Sequence, residues 1–410
     1  MMRTLSIINV AFLWVSGCAF APDYDPASAE STVAARPAPF GEAIPGIRAS
    51  LRARFAAGAQ VFTQDHTIET GLGPVFNQAS CSACHGFPAV GGSGAIDAVR
   101  FGRVNENGDF DPMTAQGGDV LQRLGIATAG CEQPGEEVPA DASVVALRQT
   151  QPLFGLGYLE AIPEAALRAL ADPEDADGDG VSGRVHEVID PATGTAGVGR
   201  FGWKAELPTL LAFAGDASLA ELGVSNTLFP DELLPQGQSP RCDDSIPHAV
   251  DDADSDGDGV SDGIVQMADF MRLLAVPPPA GPATDLTRVG ARLFDRIGCA
   301  SCHVPSLVTA AVPGIPQLSR KTIRPYTDLL LHDMGALGDG VVQGDAQGAE
   351  FRTPPLWGLR ETEPYLHNGL ATNLFEAIIF HDGEARASRD AFANLDFSEQ
   401  EALLEFLANL

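Results

Sequence analysis

Two copies of one pentapeptide pattern constrain this chain more than any other feature. The first is Cys81-Ser82-Ala83-Cys84-His85 and the second Cys299-Ala300-Ser301-Cys302-His303. Cys-x-x-Cys-His is the pattern of covalent c-type haem attachment. Two thiols three positions apart sit on one turn, where each can add to a haem vinyl group. The adjacent histidine then lies under the iron and supplies an axial nitrogen. A Cys-x-x-Cys can also be a thioredoxin-like redox pair or half of a zinc site. A zinc site wants further ligand pairs nearby and a redox pair wants a βαβ setting, and the sequence shows neither. Two full copies in one chain predict two c-type haems.

The rest of the cysteine usage fits an oxidising compartment. Residues 1–18 read as a lipoprotein-type signal. Arg3 carries the charge, Leu5 to Val15 is apolar, and Val15-Ser16-Gly17-Cys18 ends it with small residues before a cysteine. An ordinary cleaved signal that happens to contain Cys18 is the alternative. Residues 19–45, rich in Ala and Pro, read as a flexible tether, which puts the protein in a bacterial periplasm, held to the membrane by lipid only. Four further cysteines go to haem. Cys131 and Cys242 remain, as a disulfide or as two buried thiols. The charge, 25 Lys+Arg against 55 Asp+Glu, argues against nucleic acid. It suits a basic protein partner and equally suits simple solvation.

Helical spacing predicts helices over 49–62, from Pro163 to Ala171, from Pro208 to Leu222, over 285–297 and over 398–409. The stretches Gly58 to Phe62 and Gly290 to Phe294 look like two versions of one helix, each ahead of a haem motif. Ser398 and Glu401 read as a capping box for the last helix. Residues 86–130 read as loops with little regular structure. Pro277 to Pro282 is the clearest linker and divides an N-terminal haem domain, 46–276, from a C-terminal one, 283–410. The expected class is mainly α, two cytochrome c-like haem domains with long loops and little β-structure. Two loops carry alternating aspartates, Asp175, Asp177 and Asp179 and then Asp254, Asp256 and Asp258. Such oxygens suit calcium, with help from Asp251, Asp252 or Glu187, although His186 and Val265 stand where an EF-hand has its glutamate.

With these motifs in hand, the chain resembles the bacterial di-haem oxidoreductases, relatives of the di-haem cytochrome c peroxidases. The resemblance covers nearly everything from residue 50 onward. Beyond the haem motifs it rests on Gly71 to Asn77, Pro152 to Pro163, Gly199 to Ala205, Tyr326 to Gly335, Phe351 to Trp357 and Pro364 to Gly369. It implies two haem domains facing each other across a cleft, one haem the chemical site and the other an electron relay.

The second haem has four candidate sixth ligands: His332, Met334, His367 and His381. In the related peroxidases the residue fourteen places beyond the Pro-Tyr-x-His-x-Gly histidine is the distal ligand, Met there and Tyr in the enzyme that matures methylamine dehydrogenase. Fourteen places beyond His367 stands His381, on a helix that Asn373 caps and Glu376 completes as a box. The sequence thus favours His381 opposite His303, with Met334 as the alternative. For the first haem, His66 and Met113 are the nearby candidates, and an open iron face is the other reading. The resemblance implies a glutamate that moves the peroxide proton, with Glu221 first and Glu160 second, each otherwise a surface or capping carboxylate. It also implies an inter-haem tryptophan at Trp203, otherwise a core residue. The expected activity is reduction of peroxide at the His85 haem, with electrons from a small cytochrome c or cupredoxin entering through the other. Oxidation of an organic or protein substrate and plain electron transfer are the alternatives.

Overall fold

The computed structural model describes residues 38–118, 120–242 and 250–410. Cys18 and the signal reading lie outside the described residues. The helices run in order: α1 Ala49–Thr63, α2 Cys81–Cys84, α3 Leu156–Glu160, α4 Glu164–Leu170, α5 Leu210–Leu222, α6 Asp262–Leu273, α7 Asp285–Arg296, α8 Leu374–Ile379, α9 Arg386–Ala393 and α10 Phe397–Asn409.

Two helix crossings frame the molecule, α1 on α6 and α7 on α10. Each depends on one glycine. A Cβ at Gly58 would lie 2.1 Å from the Gln266 carbonyl oxygen, and one at Gly290 would lie 2.0 Å from that of Ala402. No side chain fits there, so the backbones approach as only glycine allows. Each crossing stands over one Cys-x-x-Cys-His turn. The α10 cap is made two residues earlier than the sequence suggests. Asp396 accepts from the Glu399 amide at 2.9 Å, and Ser398 donates to Asp396 at 2.7 Å. A carboxylate at the helix N-terminus replaces the expected hydroxyl.

Helix accounts for 32% and strand for 15%, the strands in small open sheets, which agrees with a mainly-α fold. Residues 86–130 carry several short strands between their turns and loops. The strand Ala98–Val104 pairs antiparallel with Phe110–Asp111, Val120–Leu121 and Val144–Arg148. Val99 and Phe101 are buried in a small core, with Ala98 and Arg100 between them on the less buried face. That period-2 pattern is short, and the glycines around it mask it. A second pair, Leu331–Asp333 with Glu350–Arg352, sits beside the second haem motif.

The tether is also shorter than expected. Residues 38–47 pack into the main core, with Ala38, Ala43, Ile44 and Ile47 buried. The Ile44 amide donates to the Leu273 carbonyl at 2.9 Å, and that of Ala275 to the Glu42 carbonyl at 3.0 Å. That core joins α1, α3, α5 and α6 to Leu318, Ile323, Leu329 and Trp357, which lie beyond the proline-rich linker. The two halves therefore share apolar surface. A separate cluster around Phe294, Tyr326, Leu403 and Phe406 belongs to the α7/α10 crossing. Cys131 and Cys242 form a disulfide, and the other described cysteines are free thiols.

Candidate haem sites

The first motif forms the one-turn helix α2 at the floor of a cavity. His85 Nδ1 bonds the Gly92 carbonyl at 3.0 Å, which leaves Nε2 for the cavity. Tying one imidazole nitrogen to a carbonyl is the usual way to orient a metal-binding histidine. Burial pushes its pKa down to about 4, so the ring is the neutral, ligating form at ordinary pH. Burial pushes the Cys81 and Cys84 thiols up to about 12. A redox-active pair needs the opposite shift. No group of histidines and cysteines that could hold a metal occurs among the described residues.

The wall of this cavity includes Glu221, near the end of α5. The strap Gly71–Asn77 puts it there. The Gly73 amide donates to the Leu222 carbonyl at 3.1 Å and that of Asn77 to the Glu221 carbonyl at 2.8 Å. Asn77 Nδ2 then donates to Glu221 Oε2 at 2.8 Å. A Cβ at Gly73 would lie 2.2 Å from the Gly223 carbonyl oxygen, so the strap needs glycine at this contact. Burial raises the pKa of the carboxyl against the lowering effects of Asn77, Arg100 and Arg123. Apart from His85, no histidine lines the cavity among the described residues. Two methionines do, Met267 and Met271 of α6, and Met267 Sδ rests 3.8 Å from Cys81 Sγ, at the attachment edge. His66 and Met113 are elsewhere. His66 bonds the Thr70 carbonyl, and Met113 is buried beneath the small sheet.

The turn Arg200 to Ala205 separates the two cavities. Arg200 is buried and donates to the carbonyls of Leu159 at 3.0 Å and Glu160 at 3.2 Å and also to that of Ile162. Lys204, fully buried, donates to the carbonyls of Gln347 at 2.6 Å and Glu350 at 2.7 Å. Charged donors on these carbonyls pin the turn to both halves. Between them Trp203 lines both cavities, its Nε1 donating to the Gln149 carbonyl at 2.8 Å. The structure thus brings Trp203 and Glu221 to the first cavity. It does not bring Glu160 there: that carboxylate pairs with Arg272 at 2.6 Å and accepts from the Leu210 amide at 2.9 Å.

The second motif opens into the second cavity. His303 Nδ1 bonds the Tyr326 carbonyl at 3.0 Å, and His381 Nδ1 bonds the Ala377 carbonyl at 2.6 Å. Their ring centroids are 6.5 Å apart. Metal–imidazole bonds of about 2 Å put opposed ligand rings roughly 6 Å apart, so one iron fits between these two. Leu374, Ala377 and Ile378 share the cavity wall with His381, as does Met334. Asn373 caps α8, accepting from the Glu376 amide at 2.9 Å, but the Glu376 carboxylate turns to Thr372 instead of closing the box. His332 has no free nitrogen. Nε2 bonds Asp328 at 2.8 Å and Nδ1 bonds Glu384 at 2.7 Å. Despite burial, hydrogen bonds to these carboxylates hold its pKa well above the usual value. An imidazolium between two carboxylates is no iron ligand.

The two aspartate loops each gather three carboxylates within 4.8 Å, Asp175, Asp177 and Asp179 in one, Asp254, Asp256 and Asp262 in the other. Asp262 stands where Asp258 was expected. The proposed helpers are engaged: Asp251 with Ser225, Asp252 with the α6 amides, Glu187 with Arg168. His186 is buried on the Lys204 carbonyl.

Two cavities, each floored by a carbonyl-oriented histidine beside two thiols and joined by one tryptophan, define a protein built for a pair of haems. The chain belongs to the family described as "Di-haem oxidoreductase, putative peroxidase", whose model matches residues 134–410. That makes it an oxidoreductase enzyme of the peroxidase-like kind. The match contains the second haem motif and begins after the first. Among curated relatives, the cytochrome-c peroxidase IdrP2 of Pseudomonas sp. (strain SCT) is 29% identical over 32% of this chain and 41% of that protein. IdrP2 of Denitromonas iodatirespirans is 33% identical over 28% of this chain and 36% of that one. The chain thus matches about two fifths of the length of these relatives. Of solved structures, the diheme peroxidase BthA from Burkholderia thailandensis E264 aligns at a TM-score of 0.41 and 14% identity, covering 94% of this chain and 88% of that one. The assignment rests on the family match alone.

Proposed function

We propose that this chain is a c-type di-haem peroxidase whose His85 haem reduces hydrogen peroxide and whose His303/His381 haem delivers the electrons. The observation that carries it is the asymmetry of the cavities: one holds a histidine facing another at 6.5 Å, the other a lone histidine and a buried carboxyl. Cys81 with Cys84 and Cys299 with Cys302 would form the thioether bonds. His85 would hold the haem of the first cavity, and His303 with His381 that of the second; haem, when bound, would supply redox-active iron at each. The overall change is one peroxide, two protons and two electrons to two waters. Glu221, fixed by Asn77, takes the proton from one peroxide oxygen and returns it to the other, which leaves as water. Trp203 spans the wall that electrons must cross. Bis-histidine ligation sets a lower potential at the second haem than a methionine would.

Steady-state turnover with a reduced small cytochrome or cupredoxin and peroxide tests this reading. Peroxide-dependent oxidation of the donor is expected. Oxidation of an added organic or protein substrate with no donor turnover points to the other enzyme reading. Export with a lipid on Cys18 belongs to the same proposal, and Cys18→Ser should release the protein from membranes. Calcium in the aspartate loops is tested by the melting temperature, which should rise at millimolar calcium. No helix of the described residues is long and apolar enough to cross a membrane.

A further inference from the structure

The second cavity has a charged wall that the proposed ligand set leaves unused. His332 and Glu384 both line it, beside Cys302. His332 Nδ1 lies 3.5 Å from Cys302 Sγ, the sulfur that would join the haem. The ring therefore meets the attachment itself. It also packs against the N-terminal half, where a Cβ at Gly183 would lie 2.4 Å from His332 Cε1.

Geometry fixes the charge on the ring. Both nitrogens meet a carboxylate, Nδ1 that of Glu384 at 2.7 Å and Nε2 that of Asp328 at 2.8 Å. A neutral imidazole has one N–H and would turn a lone pair on one of these carboxylates, whereas an imidazolium donates to both. The carboxylates are well supplied with donors as anions. Asp328 Oδ1 accepts from the Leu330 amide at 2.9 Å. Glu384 accepts from the Ser182 amide at 3.0 Å, the Ser182 hydroxyl at 2.8 Å and the Asp333 amide at 3.2 Å. Asp328 and His332 are buried, and the Glu384 side chain is only 11% exposed. The neighbouring cations are engaged elsewhere. Arg184 pairs with Glu350 at 2.6 Å, and Arg352 donates to the Gly202 carbonyl at 2.8 Å, the Thr353 carbonyl at 3.1 Å and Gln151 at 3.0 Å. Asp382, two residues before Glu384, pairs with Arg386 at 2.8 Å and Arg389 at 3.1 Å. Two carboxylates and one imidazolium leave the cluster with a single negative charge.

We propose that Asp328, His332 and Glu384 form a buried charge triad that sets the midpoint potential of the haem at the second motif, with His332 offsetting one of the two carboxylates. This rests on that motif carrying a haem through Cys302. All three are positioning residues, acting on the iron through its surroundings and supplying no ligand. Buried charges are weakly screened, so a change in the net charge of the triad reaches the iron. A cation beside it favours the reduced state and an anion the oxidised state. The residual negative charge lowers the potential of a haem whose task is to pass electrons on.

The test uses purified holoprotein with His332→Gln, Glu384→Gln and both together. In each, the midpoint of the low-spin haem is read by spectroelectrochemistry and the ligand set by low-temperature paramagnetic resonance. The measurement is made at about pH 6, where an imidazole facing even one carboxylate stays protonated. His332→Gln leaves two carboxylates uncompensated and should shift the midpoint downward. Glu384→Gln leaves a neutral Asp328–His332 pair and should shift it upward. The double variant keeps one negative charge and should return toward wild type. Side chains that only pack would not reverse the sign, and the double variant would then compound the two losses. Single variants that shift the same way, or that leave the midpoint unmoved, with an intact ligand set would overturn the proposal. If His332→Gln fails to load haem, Glu384→Gln decides alone: a rise supports the triad, and an unchanged or lowered midpoint overturns it. A wild-type holoprotein with one haem per chain instead removes the reading of the second site, and the triad falls with it.

Discussion

At the residue scale the proposed chemistry hangs on Glu221. It lies in the wall of the first cavity, and burial raises the pKa of its carboxyl. Glu221→Gln should lower kcat/KM for peroxide by about 10²- to 10⁴-fold with haem spectra intact. The wild-type rate should rise with pH as Glu221 ionises, above the ordinary carboxylate range, because only the ionised form can accept the peroxide proton. The Gln variant should lack that limb; an unchanged profile there would count against the role. His332 makes a different claim. Its pKa is raised in the folded state, so its contribution to stability is complete below about pH 6.5 and is lost as pH climbs through the raised value. His332→Gln should lower the melting temperature most at low pH and converge on wild type at high pH. Cys81, Cys84, His85, Cys299, Cys302 and His303 were legible as spaced residues, because attachment chemistry fixes their spacing. The pairing of Glu221 with Asn77 was not, since the two are 144 positions apart and meet only through the strap over α5. The engagement of Glu160 with Arg272 is equally non-local, separated by 112 positions.

At the scale of elements the account turns on the two glycine crossings. Gly58→Val or Gly290→Val forces a side chain into a neighbouring carbonyl and should cost about 2 kcal/mol or more. Chemical denaturation of the holoprotein measures it, and a loss under about 0.5 kcal/mol, the scale of an ordinary surface change, would contradict the crossing geometry. α1, α7 and α10 were readable from apolar spacing. α6 carries the same signal, with Ile264, Met267, Ala268 and Met271 on one buried face. It starts inside an aspartate-rich loop, however, and Asp252, ten positions ahead of Asp262, accepts from its first amides. A cap so far from its helix leaves no local signature. The four-stranded sheet escaped for a related reason. Its partners to Ala98–Val104 are two residues long at Phe110–Asp111 and Val120–Leu121, too short for alternation to register.

At the scale of the whole molecule, one core crosses the proline-rich linker and one turn is anchored in both halves, Arg200 on one side and Lys204 on the other. That shared frame is what holds Trp203 between the cavities. Trp203→Phe should slow electron transfer between the haems while both haem spectra stay as they are; unchanged transfer would assign Trp203 to packing. The linker was legible, but its meaning was not, because proline content marks a break in helix and says nothing of burial across it. The central claim is that the two sites differ, one iron closed by nitrogen on both faces and the other open. Low-temperature paramagnetic resonance of the purified, oxidised holoprotein reads both at once. One low-spin bis-histidine signal beside one high-spin signal is the predicted result, and two low-spin signals, or a single haem per chain, would contradict it.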